Sequence, residues 1–126
     1  MTGAAGGPLA RYLHEIEERA RARKGPYSRN AMISRVNVEL RKRQADGGDL
    51  LLNPKTVSEW FTKGRVPQDF RLVWAFTEAL LAAAGAPPAD PAKRRAWREE
   101  QYARCKGTWE AARDAALAAA GRRSIG

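Results

Sequence analysis

The side chains best suited to chemistry in this sequence lie between Asn53 and Pro67. If this stretch is a helix, its polar residues recur at i, i+3, i+4 and i+7 and therefore share one face. These residues are Lys55, Ser58, Glu59 and Thr62. They supply hydrogen-bond donors and acceptors, the groups that pair with base edges in the DNA major groove. The pattern predicts a recognition surface rather than a reaction centre.

Residues that could support catalysis or bind a metal are scarce. His14 is the only histidine and Cys105 the only cysteine, so the usual zinc ligand sets cannot form within one chain. The pair Gly47-Gly48 lacks the lysine and the strand-to-helix context of a phosphate-binding loop. Glu17-Glu18 and Glu99-Glu100 lie among arginines and are typical of solvated ion pairs. We expect no catalytic residues, no metal, no cofactor and no enzyme activity.

The chain carries a large positive charge. Its 126 residues include 23 lysines and arginines against 14 aspartates and glutamates, which gives a formal net charge of +9. Such a surplus favours a polyanionic partner, nucleic acid before an anionic membrane surface. One cysteine allows no internal disulfide, and neither a signal peptide nor an apolar run of about 18–20 residues is evident. We expect one cytoplasmic, nucleoid-associated domain that does not enter a membrane.

Start and stop signals divide the chain into helices, and no strand pattern is present. In the stretch described first, Asn53 can cap the helix and Pro54 suits its first position. Gly64 and Pro67 are typical of its end. The segment 45–49 is predicted to be a turn. The predicted helices cover residues 8–24, 29–43, 54–63, 68–84 and 91–120.

Apolar spacing indicates which side of each helix is buried. Val57, Trp60 and Phe61 share one face of the third helix and are interpreted as core. Residues 68–84 are apolar over more than half the circumference, so we expect the central core helix there. The last helix carries a heptad-like seam, and Gly107 could break it into two helices. The seam consists of Tyr102, Cys105, Trp109, Ala112, Ala116 and Ala119. It could pack on the fourth helix, on a second subunit or on another protein.

Two short segments carry a family resemblance. Residues 56–60, Thr-Val-Ser-Glu-Trp, and residues 64–67, Gly-Arg-Val-Pro, resemble the recognition helix and following loop of phage-repressor-like (XRE-type) helix-turn-helix proteins. The chain as a whole resembles actinobacterial helix-turn-helix regulators. The resemblance implies an all-α fold with a helix-turn-helix domain of about four helices over residues 8–84. A helical extension over 85–121, a flexible N-terminus (1–7) and a tail (122–126) complete the expected organisation.

The resemblance also implies roles for individual residues. Lys55, Ser58, Glu59 and Thr62 would contact bases of duplex DNA from a recognition helix at 54–63. The implied phosphate contacts are Ser28, Arg29, Thr56, Lys63 and Arg65. The basic residues 41–43 either contact the DNA backbone or only complement the C-terminus of the second helix.

These implications lead to an expected function and two alternatives. We expect a sequence-preferring transcriptional regulator of double-stranded DNA, with a homodimer reading two half-sites. One alternative is a nucleoid or replication accessory protein that binds DNA through charge alone. The other is a helical adaptor that recruits a protein partner through its last helix.

Overall fold

The computed structural model describes residues 7–23, 27–43, 51–63, 65–85 and 87–125, with side chains as far as residue 119. Within these ranges the chain forms five helices and no strand. The helices are α1 (Gly7–Ala22), α2 (Arg29–Arg43), α3 (Pro54–Thr62), α4 (Phe70–Ala83) and α5 (Pro91–Ile125). The all-α fold and the long C-terminal helix are thus confirmed. None of the described helices combines the length and apolar character needed to cross a bilayer.

Capping side chains explain where three helices begin. The Asn53 side chain accepts hydrogen bonds from the backbone amides two and three residues further on, at the start of α3. The Asp69 side chain accepts from one such amide, that of Arg71, at the start of α4, and the Ser28 hydroxyl accepts from the first turn of α2. These caps satisfy amides that have no partner inside a helix. The stop predicted at Gly64 and the turn predicted at 45–49 lie outside the described residues.

Two helices, α1 and α4, form the centre of the core: α4 packs against α1, α2 and α5, and α1 packs against α3, α4 and α5. Val73, Phe76 and Leu80 on α4 have no exposed surface. Burial of such large apolar side chains supplies the main favourable free energy of folding. The predicted place of the fourth helix in the core is confirmed, but α1 shares the central position with it.

Helix α5 differs from the sequence-based prediction. It is continuous through Gly107, although glycine has a low helix propensity. A Cβ added at this position would meet open space, so no neighbouring side chain requires a glycine there. The break that Gly107 could have caused does not occur. The helix also continues to Ile125, through residues expected to form a tail. Cys105 and Trp109 are buried as predicted, whereas Tyr102 is 40% exposed.

Glu17 on α1 corrects the expectation of a solvated carboxylate, because its side chain is completely buried. Its Oε2 accepts hydrogen bonds from the Tyr27 hydroxyl at 2.8 Å and from Arg29 Nε at 2.7 Å. Its Oε1 accepts from a second Arg29 nitrogen at 2.6 Å, and Arg21 approaches to 3.1 Å. Burial alone would raise the pKa of Glu17, but the hydrogen bonds from Arg29 and Tyr27 outweigh it and lower that pKa. The carboxylate thus stays ionised inside the fold.

The substitution Glu17→Gln should lower the free energy of unfolding by about 3 kcal/mol, because it leaves Arg29 without its partner charge. Urea denaturation near neutral pH measures this change. Glu18→Gln is the matched control, since Glu18 is exposed on the same helix and surface substitutions usually change stability by about 0.5 kcal/mol or less. Equal effects of the two substitutions would contradict a structural role for Glu17.

The stabilisation from Glu17 should depend on pH. Folding lowers the pKa of Glu17, so its contribution is fully present above the ordinary value of 4.5 and is lost as the pH falls through the lower folded value. The stability difference between wild type and Glu17→Gln should therefore shrink as the pH falls from about 7 to about 3. Urea denaturation at several pH values measures it, and a constant difference would count against an ionised Glu17.

Candidate nucleic-acid interface

The apolar side of α3 fixes the orientation of this helix. Val57, Trp60 and Phe61 are at most 3% exposed, which confirms their prediction as core residues. The rings of Trp60 and Phe61 both meet the Phe76 ring of α4 edge to face, with centroids 5.9 and 6.0 Å apart. Such aromatic contacts add to the free energy of apolar burial. The polar side of α3 consequently points away from the core.

A side chain on α2 holds the segment that leads into α3. Asn37 Nδ2 donates to the Leu52 carbonyl oxygen at 2.9 Å, and its Oδ1 accepts from the Leu52 amide at 2.7 Å. The asparagine therefore satisfies both backbone groups of a residue whose side chain is buried. Sequence reasoning missed Asn37, since its only signal is a polar residue beside the apolar positions Val36 and Leu40.

Three of the four predicted base-contacting residues offer polar groups on the outer side of α3. Lys55 is exposed and forms no ion pair within the described part of the chain. Ser58 is partly exposed, and Thr62 is exposed with its hydroxyl donating to the Ser58 carbonyl oxygen at 3.0 Å. The Thr62 hydroxyl can still accept a hydrogen bond. The structure thus brings these three side chains together on one face.

Glu59, the fourth predicted base contact, is already paired. Its carboxylate lies 3.5 Å from Lys63 Nζ and 3.6 Å from Arg65 Nε, and only 18% of its side chain is exposed. Lys63 and Arg65 are themselves exposed. Glu59 therefore holds two cations near the C-terminus of α3, which leaves its oxygens less accessible to an outside donor.

An open concavity of about 500 Å³ lies between the starts of α2 and α3. Arg21, Ser28 and Asn30 line one part of it, and Lys55 and Ser58 line another. Two helix N-termini point into this region, and each carries the positive end of a helix dipole. This arrangement is chemically suited to an anion. The structure thus brings four of the predicted phosphate- and base-contacting residues to one surface: Ser28, Arg29, Lys55 and Ser58.

The remaining predicted phosphate contacts divide into two groups. Thr56, Lys63 and Arg65 are exposed, and the two cations lie beside the Glu59 carboxylate. The Arg29 guanidinium, by contrast, is bound by Glu17 and lies 3.9 Å from the centroid of the Phe61 ring. Its hydrogen bonds to Glu17 raise the pKa of Arg29. This side chain therefore holds helices together, and it also lines the concavity, where its phosphate contact stays a prediction.

The basic cluster at the end of α2 is exposed. Arg41, Lys42 and Arg43 all lie on the surface, and Lys42 Nζ is 3.6 Å from a carboxylate oxygen of Glu39. Their position in the last turn complements the helix dipole.

Comparison with protein-family models, with curated proteins and with solved structures finds no match. The function must therefore be argued from the geometry of the residues themselves.

The substitution Asn37→Ala should lower the free energy of unfolding by about 2 kcal/mol, because it leaves the Leu52 amide and carbonyl unpaired. It should also speed hydrogen exchange of the Leu52 amide. Urea denaturation and amide exchange measure the two effects. Ser34→Ala, at an exposed position of the same helix, is the control. Unchanged exchange at Leu52 would contradict the role given to Asn37.

Proposed function

We propose that this protein binds duplex DNA with sequence preference and regulates transcription. The observation that carries the proposal is the outward polar face of α3, which bears Lys55, Ser58 and Thr62 on a helix anchored by buried aromatic residues. An α-helix fits the major groove, and side chains of these types can pair with base edges there. The resemblance to XRE-type helix-turn-helix proteins and the net charge of +9 support the same function.

In this proposal, different residues supply affinity and discrimination. Lys63, Arg65 and Thr56 bind phosphates, together with the N-terminus of α2, and their contribution falls as salt rises. Lys55 donates to guanine O6 or N7, and Ser58 and Thr62 hydrogen-bond to neighbouring bases. Glu59 keeps Lys63 and Arg65 in place, which revises its predicted role as a base contact.

Selection of bound sequences from random duplex DNA tests the proposal. We expect a recurring motif, and binding to it at least about a thousandfold tighter than to random duplex at physiological salt. A palindromic motif would support the expected homodimer. Recovery of unenriched sequences with a steep salt dependence would instead favour a nucleoid or replication accessory protein that binds through charge.

Lys55→Ala and Lys63→Ala should have different effects on binding. Lys55→Ala should cost about 1–3 kcal/mol on the selected site and much less on random duplex, because it removes a base contact. Lys63→Ala should weaken binding to both duplexes and reduce the salt slope by about 1. Fluorescence anisotropy at several salt concentrations measures these effects.

Lys106→Ala is the matched control for the two lysine substitutions. It removes the same charge from an exposed position on α5, outside the proposed surface, so binding to both duplexes should change little. Equal losses for all three variants would mean that net charge alone governs binding and would contradict the proposed recognition surface.

A further inference from the structure

A second surface of the molecule has the composition of a small-molecule site. It is an open cleft of about 290 Å³ where the end of α2, the start of α4 and the first half of α5 meet. We call it the Tyr102 cleft, and its main lining residues are Leu40, Arg43, Phe70, Arg71, Trp74 and Tyr102. Its volume lies near the lower end of the roughly 300–1,000 Å³ usual for ligand sites. It therefore suits a compact ligand.

The walls of the Tyr102 cleft are aromatic. The Tyr102 ring meets the rings of Phe70 and Trp74 edge to face, with both centroid distances 5.3 Å. Tyr102 is nevertheless 40% exposed, while its neighbours on the seam, Cys105 and Trp109, are buried. Packing of α5 on the core thus leaves one aromatic side chain partly uncovered. A planar aromatic ligand would find ring partners on these walls.

The charge in the Tyr102 cleft is positive. Two arginines and no acidic residue line it in the described part of the chain. Arg71 is bound by Asp69, with its NH2 nitrogen 2.7 Å from a carboxylate oxygen, whereas Arg43 has no carboxylate within ion-pair distance among the described residues. A guanidinium with free donors is suited to a carboxylate, sulfonate or phosphate group.

The neighbouring depression on the other side of Trp74 and Tyr102 does not share this chemistry. Glu99 lines it together with Arg95 and Arg98, and Arg98 is already paired with Glu78. An anion placed there would meet a carboxylate as well as cations. The Arg43 side is therefore the better anion site.

We propose that the Tyr102 cleft binds a small aromatic anion, with the ring among Phe70, Trp74 and Tyr102 and the acidic group on Arg43. This inference goes beyond the proposed DNA binding and does not depend on it. The ligand class follows from three aromatic walls, an arginine with no carboxylate partner among the described residues, and a volume too small for a folded segment.

An amide-resolved NMR titration of the whole chain tests this proposal. The probes are 2-naphthoate and its neutral counterpart 2-naphthylmethanol. We expect saturable shifts confined to residues around the Tyr102 cleft, with naphthoate bound about tenfold more tightly, as a charge-assisted hydrogen bond would give. Unsaturable or scattered shifts, or equal affinity for both probes, would overturn the proposal.

Four variants test which residues bind the acidic group of the ligand and which bind its ring. Arg43→Gln should abolish the preference for naphthoate. Arg41→Gln is the control, at an exposed position two residues earlier on α2, and should leave the preference intact. Tyr102→Ala should weaken binding of both probes, and Tyr102→Phe should retain it because the ring remains. A preference that survives Arg43→Gln, or binding unaffected by Tyr102→Ala, would overturn the assignment.

Discussion

The fold depends on one partly buried ion pair, between the buried Glu17 of α1 and the partly exposed Arg29 at the start of α2. The guanidinium forms two hydrogen bonds to the carboxylate and also lies over the Phe61 ring of α3, so one side chain connects three helices. Desolvating both charges costs free energy. The Tyr27 hydroxyl, the second hydrogen bond from Arg29 and the ring face offset that cost. Lysine could not replace Arg29, because it lacks the planar fork that binds two oxygens while stacking on a ring.

This pair determines how the proposed DNA surface is presented. It places the N-terminus of α2 beside α1 and supports α3 through the contact of Arg29 with the Phe61 ring. Asn37 separately holds Leu52, the residue before the α3 cap. The core side of α3 is occupied by Val57 and Trp60. Because backbone and core are fixed independently of the outer face, substitutions of outward polar residues can alter recognition without altering the fold.

Helix α2 connects the two proposed sites. Ser28 precedes its first turn, at the concavity beside α3, and Arg43 ends it at the Tyr102 cleft. Its 15 residues span about 22 Å as a single rigid helix.

The sequence by itself determined the five helices, the apolar faces of α3 and α4, and the outward position of Lys55, Ser58 and Thr62. These features follow from local rules: caps, proline and apolar spacing act within a few residues. Helical spacing also places Glu17 among Leu13, Ile16 and Ala20 on the apolar side of α1. Its burial could therefore have been predicted, but its charge favoured a solvent-exposed position.

Only the tertiary structure decided which partners these residues meet. Arg29 pairs with Glu17, Glu59 pairs with Lys63 and Arg65, and Asn37 holds Leu52. Tyr102 is left exposed on a seam whose spacing predicted burial. Such pairings depend on the distances between helices, and helical periodicity specifies the face of a residue but not the neighbour that the face will meet.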